Sequence, residues 1–176
     1  LVLRALRVRP IFIAAWRADK VVVATMIIAD LNKIPGRTFP ARRWTRGLVG
    51  QAPAQPIQAK GFAMGYVVLE PKGGQVPWHN QEQEEIYMVL QGTGEICVGT
   101  ERQEITAGQV VFLPPTVFHQ LTNIGETPLH MMYIYCPGGD VAHWRQELDG
   151  TLPPAGVGAT PALPAGAQAQ CTKKPA

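Results

Sequence analysis

Two histidines, a glutamate and a glutamine stand at spacings that let a single divalent cation gather them. His79, Gln81 and Glu85 lie in one stretch running from Gly73 to Gly92, and His119 lies in another running from Gly108 to Asn123. Residues two apart in an extended segment point the same way, so His79 and Gln81 share a side. Glu85 opens an apolar run in which Tyr87 and Val89 follow it on one face. His119 comes after Pro114-Pro115, with Leu121 and Asn123 in phase with it. If these faces line one interior, two neutral imidazoles, one carboxylate and one amide oxygen converge. A carboxylate buried among apolar strands is costly unless paired or bound to metal, and a cation would relieve Glu85 and the polar tips of His79 and Gln81 together. Two imidazoles and a carboxylate cap one face of an octahedral ion and leave positions open for chemistry. Glu85 and Tyr87 are therefore the expected catalytic residues, Tyr87 as proton donor or substrate contact.

The elements that must position these side chains are short. Gly and Pro are abundant, and charged residues make up 16% of the 176-residue chain, which favours strands and turns over long surface helices. Apolar runs predict strands at Phe62–Leu69, Glu85–Leu90, Glu95–Val98, Glu104–Thr106, Val110–Leu113, His119–Thr122 and Leu129–Tyr135. Their close spacing, with Gly/Pro turns and no helices between, predicts one all-β barrel or sandwich. A short helix follows: Asp140 can cap it, Val141, Trp144 and Leu148 share a face, and Gly150 then Pro153 stop it. Four regions result: residues 1–25, a non-native or disordered extension; 26–60, an N-terminal arm; 61–150, the barrel and short helix; 151–176, a disordered Ala/Pro/Gly-rich tail.

Charge is distributed unevenly. The net charge is +3, yet residues 1–60 carry eleven Lys/Arg against two acids, while residues 61–150 carry three against eleven. The basic cluster Arg42, Arg43 and Arg46 has no nucleic-acid motif around it, so the expectation is a basic arm against an acidic barrel, its own or a neighbour's. Three cysteines (Cys97, Cys136 and Cys171) with no CxxC argue against a disulfide framework, and cytoplasmic residence is expected. Cys97 and Cys136 read as buried packing residues. No apolar run reaches the length of a membrane span. Residue 1 is Leu, the broken apolar runs at 11–16 and 21–29 match a signal peptide poorly, and an upstream extension ahead of a natural start at Met26 accounts for the start of the chain.

The two stretches resemble the paired motifs of the cupin superfamily of small jelly-roll proteins, G-x5-H-x-H-x3,4-E-x6-G and G-x5-P-x-G-x2-H-x3-N. This chain reads Gly73-x5-His79-x-Gln81-x3-Glu85-x6-Gly92, then Gly108-x5-Pro114-x-Thr116-x2-His119-x3-Asn123, with fifteen residues between the two. The resemblance covers residues 61–136 and implies a jelly-roll β-barrel with one divalent metal ion held by His79, Gln81, Glu85 and His119. Gln81 replaces the usual second His, and its neutral amide oxygen is the weaker donor to late first-row metals. Thr116 replaces a Gly, read as a mild change in a turn.

The fold hosts oxygenases, isomerases, epimerases, decarboxylases and plain binding modules, so it does not choose a reaction. Iron(II) is the favoured ion, with Mn, Ni or Zn as alternatives. Lys72, Arg102 and Arg145 are the only bases in residues 61–150. That argues against a phosphorylated substrate unless Arg42 or Arg43 reaches the site, and favours a small neutral or chelating molecule. The reading settles on an oxygenase-type enzyme; an isomerase or decarboxylase, or a non-catalytic sensing module, stands as the alternative. Glu82 and Glu84 read as solvated, and His130 and His143 as ordinary histidines. The inward parity of Met131, Met132, Tyr133 and Tyr135 stays open. Residues 26–35 are expected to pair with a second barrel in a homodimer, with no nucleic-acid or membrane partner.

Overall fold

A computed structural model describes residues 26–139, 141 and 143–149. The expected extension at 1–25, the capping Asp140, the stop at Gly150 and the tail at 151–176 lie outside the described residues. The strands are β1 (Arg37–Phe39), β2 (Arg43–Gly50), β3 (Ile57–Gln58), β4 (Ala63–Leu69), β5 (Gln75–His79), β6 (Glu84–Gln91), β7 (Thr93–Val98), β8 (Glu101–Thr106), β9 (Val110–Leu113), β10 (His119–Asn123) and β11 (Leu129–Cys136). One helix follows, α1 (His143–Leu148). Two sheets pack face to face as a jelly roll. The larger contains β1-β2-β4-β11-β6-β9, with β3 joined to β2, and the smaller contains β5-β10-β7-β8. No helix among the described residues is long and apolar enough to cross a membrane.

All seven expected strands are present. Residues 37–58, read from sequence as part of an arm, form β1 to β3 of the larger sheet. β2 pairs with β4 from Arg43 opposite Leu69 to Val49 opposite Met64. Its alternation was hidden because an arginine occupies an inward position: Arg43 and Thr45 are buried, whereas Trp44 and Arg46 are half-buried on the other face. Arg46 lies over the Trp44 ring at 3.6 Å from its centroid.

The core sits between the sheets. β4 contributes Ala63, Val67 and Leu69, β6 contributes Tyr87 and Val89, and β11 contributes Leu129, Met131, Tyr133 and Tyr135. This settles the parity of β11: Met131, Tyr133 and Tyr135 point inward, and Met132 lies on the outer face. Cys136, expected inside, is exposed because it continues that alternation one step past Tyr135. Cys97 is buried as expected.

The motif residues outside the ligand set have structural duties. Gly92 adopts φ 89°, and a Cβ there would come within 2.9 Å of Leu129 Cα, so only glycine fits. Thr116 sits at φ 65°, a left-handed conformation costly for a β-branched residue, so replacing the motif glycine is not mild. Its backbone holds the loop after β5, accepting from Asn80 Nδ2 at 2.9 Å and donating N–H to Gln81 O at 2.6 Å.

Asn123 is fully buried. Its Nδ2 donates to the carbonyls of Leu69 at 2.9 Å, Glu70 at 3.1 Å and Thr127 at 2.9 Å. Its Oδ1 accepts from Gly125 N–H at 2.9 Å. One side chain thus ties the end of β4 to the turn after β10. Asn123→Ala should lower unfolding free energy by about 2–4 kcal/mol, since it strands buried backbone groups. Urea unfolding measures this, and a loss below the noise would remove the role.

Candidate metal centre

β5 and β10 run antiparallel, and His79 and His119 face each other directly across the pair. The ladder then slips: Leu121 pairs with Val76, so three residues on β5 span the distance of two on β10. Strict alternation from inward-facing Val76 would turn His79 outward. The irregularity at Pro77-Trp78 re-aims it inward, as bulges commonly do beside functional sites. Trp78, Phe118 and Cys97 alternate with the histidines and form a separate small cluster, with the Trp78 and Phe118 rings stacked at 5.6 Å.

Glu85 comes from the opposite sheet, at the start of β6. His79, Glu85 and His119 are all buried, and each offers a ligand atom within 4.8 Å of the others. The imidazole centroids are 4.3 Å apart. Glu85 Oε2 lies 3.4 Å from His119 Nε2. Each Nδ1 is tied to a backbone carbonyl two residues earlier, His79 to Pro77 at 2.6 Å and His119 to Val117 at 2.9 Å. An Nδ1–H that donates to a carbonyl leaves the Nε2 lone pair for a metal, the usual arrangement around ligating histidines. Burial, then the nearby His119, hold the His79 pKa well below the ordinary histidine value, so that imidazole is neutral and able to ligate. His119 Nε2 is buried and makes no hydrogen bond. This donor set fits a divalent cation.

Gln81 lies in the loop between β5 and β6, half-buried. Its Nε2 donates to Glu85 Oε2 at 2.5 Å, while its Oε1 is buried without a hydrogen-bond partner. The amide thus holds the carboxylate with one end and has an oxygen to spare at the other. Tyr87 is inward, 2% exposed, with its ring 5.9 Å from that of His119. Burial, reinforced by the charge of Glu85, raises the Tyr87 pKa well above 10.0, so its hydroxyl is a donor and not a base. Glu82 and Glu84 are exposed, as expected. His130 bonds the Tyr66 hydroxyl through Nδ1 at 2.5 Å, on the far side of the sheet from the core.

Beside Glu85 and Tyr87 lies a small cavity bounded by Arg43, Val76, Met131, Tyr133 and Trp144. Arg43, named from sequence only as a residue that would have to reach the site from the arm, borders it, and Tyr133 was not identified from sequence as a site residue. Tyr133 OH is buried without a partner. Gly65 makes room for that ring, since a Cβ there would lie 2.4 Å from it. The glycine in an apolar strand, two residues before Val67, was the available signal. Arg43 pairs with Glu147 of α1, both almost fully buried. The inward face of α1 is thus Trp144 and Glu147; Leu148, expected to share that face, is 42% exposed. The spacing from 144 to 147 is as helical as that from 144 to 148, and pairing with buried Arg43 decides between them.

Comparisons with known proteins follow this geometry. A family model described as a cupin domain matches residues 65–135. The uncharacterized protein MJ1618 of Methanocaldococcus jannaschii is 33% identical over 65 residues, which is 36% of this chain and 52% of that protein. The chain spans about half the length of the curated relatives it matches. An RmlC-like cupin from Shewanella frigidimarina superposes with a TM-score of 0.55 at 15% identity, covering 66% of this chain and 95% of that one. An oxalate oxidase solved with the substrate analogue glycolate superposes with a TM-score of 0.53 at 22% identity, covering 63% and 60%. These likenesses concern the fold. The matched segment carries both motifs and the whole His–Glu–His cluster, so residues 65–135 of this chain are a cupin domain.

Proposed function

We propose that this chain is a metal-dependent enzyme that holds one divalent ion on His79, Glu85 and His119, with Gln81 as a fourth ligand, and oxidises a small organic molecule. One observation carries the reading: two inward imidazoles, each anchored through Nδ1, face a buried carboxylate across the two sheets. Iron(II) is the favoured ion, and it would supply redox chemistry with dioxygen and open positions for a chelating substrate. Mn, Ni and Zn suit the same donors.

The chain's own residues do the remaining work. The Pro77 and Val117 carbonyls fix both imidazole rings. Gln81 restrains Glu85 from the loop side. Tyr87 and Tyr133, whose pKa burial also raises well above 10.0, present hydroxyl donors to the cavity. Val67, Val76 and Met131 give the cavity an apolar lining. Isomerase or epimerase chemistry needs a base beside the substrate. Among the described residues that line the cavity the one carboxylate is Glu85, assigned to the ion, and Glu147 behind it is matched to Arg43. This favours oxidation over proton shuffling.

The chain is further proposed to form a homodimer through residues 26–35. Met26, Ile27 and Ile28 are 82%, 59% and 82% exposed, apolar surface that a second copy would cover. Light scattering should give the dimer mass, and a monomer at micromolar concentration removes the idea.

Titration with nickel(II) or zinc(II) checks the ligand set. His119→Ala and Glu85→Ala should each abolish stoichiometric binding, and Gln81→His should tighten it roughly tenfold, because imidazole is the stronger donor. Unchanged affinity in Gln81→His would show that residue 81 does not reach the ion. Oxygen uptake by the iron(II)-loaded protein, with a panel of diketones, aromatic diols and hydroxyketones, tests the reaction class. Substrate-dependent uptake is expected; isomerised product without oxygen consumption would contradict it.

A further inference from the structure

Arg43 is a cation inside the barrel, and its place decides what the cavity accepts. It is 2% exposed and shares the cavity with Glu85, Tyr87 and Tyr133. Its Nη2 donates to Glu147, and its Nη1 donates to Thr45 Oγ1 at 3.0 Å. Its guanidinium carbon lies 3.9 Å from the Phe39 ring centroid. The carboxylate it binds comes from α1, a helix of six residues set against the mouth of the sheets. Trp144 of the same helix lines the cavity, packing edge-on to Phe39 at 6.0 Å and to Tyr133 at 5.8 Å.

The space these residues line is about 10 Å³, room for roughly one water. No substrate enters without moving a wall. The walls from β2, β4, β5, β6 and β11 are strands within sheets, whereas α1 belongs to no sheet. Burying Arg43 with no counter-charge would be strongly destabilising, so whatever displaces Glu147 must bring an anion of its own. One guanidinium matched by one carboxylate takes another carboxylate without changing the local charge. A phosphate would bring about two negative charges to one cation.

We propose that Arg43 binds the carboxylate of a small carboxylic-acid substrate, and that Glu147 on α1 occupies this position as an internal mimic until substrate displaces it. The unpartnered Tyr133 hydroxyl donates to the incoming carboxylate, whose remaining oxygen function then faces the Glu85 side of the cavity. The sequence-based preference for a small neutral or chelating molecule held only if neither Arg42 nor Arg43 reached the site. Arg43 supplies a cation from a segment outside the matched domain. The inference rests on the enzyme reading for its chemistry, but the exchange of carboxylates on Arg43 stands apart from the ion.

The test is calorimetric binding of lactate, lactamide and inorganic phosphate to the full chain, both manganese(II)-loaded and EDTA-stripped. Wild type should bind lactate and neither of the others. Glu147→Gln removes the internal competitor, so lactate should bind roughly tenfold more tightly. The same variant should melt lower without ligand and recover with lactate. Arg43→Met should abolish lactate binding. Lactate binding that is unchanged or weaker in Glu147→Gln overturns the proposal and leaves the pair a structural tie. No lactate binding in any form, or a preference for lactamide or phosphate, overturns it as well. If manganese fails to bind while Glu147→Gln still tightens lactate, the metal assignment fails and the carboxylate site stands.

Discussion

A carboxylate buried between two sheets, facing two imidazoles on the opposite wall, is the constraint around which this fold is arranged. Removing an isolated carboxylate from water costs several kcal/mol even after relaxation, and a neutral His79 does not repay it. The protein adds Gln81 as a donor to Glu85 and His119 at 3.4 Å. Neither supplies a full counter-charge, and the three donors together fit a divalent cation. The slipped register of β5, the carbonyl anchors on both Nδ1 atoms and the loop held at Thr116 all act on the same few atoms.

The interior holds a second charged pair, and the two differ in kind. Glu85 belongs to β6, anchored on both sides by β9 and β11. Glu147 belongs to a short helix attached through side chains. A carboxylate within a sheet suits a permanent ligand, and one on a helix outside both sheets suits exchange. Trp144 couples the two regions, since it contacts Phe39 and Tyr133 and lines the cavity that Glu85 borders.

Much of this was legible in the residues. Spacing placed His79, Glu85 and His119 together because period-two alternation and turn glycines are local properties that survive folding. Gly92 and Asn123 marked positions where only those side chains fit, one for its backbone conformation and the other for four hydrogen bonds. What sequence concealed was decided by distant contacts. β2 looked like a basic arm because Arg43 and Arg46 break the apolar pattern, yet Arg43 turns inward to a residue 104 positions away. The same pairing selects Glu147 over Leu148 as the buried residue of α1. Tyr133 faces inward because Gly65 on the neighbouring strand leaves space for it, a fact that β11 alone does not contain.

The central claim is that the two sheets of this cupin are built to grip one cation. Elemental analysis of protein purified with neither added metal nor chelator, beside the Glu85→Ala form, tests it most directly. The account predicts about one transition-metal ion per wild-type chain and almost none in the variant. Wild-type protein without metal, or a variant that retains the same amount, would contradict it.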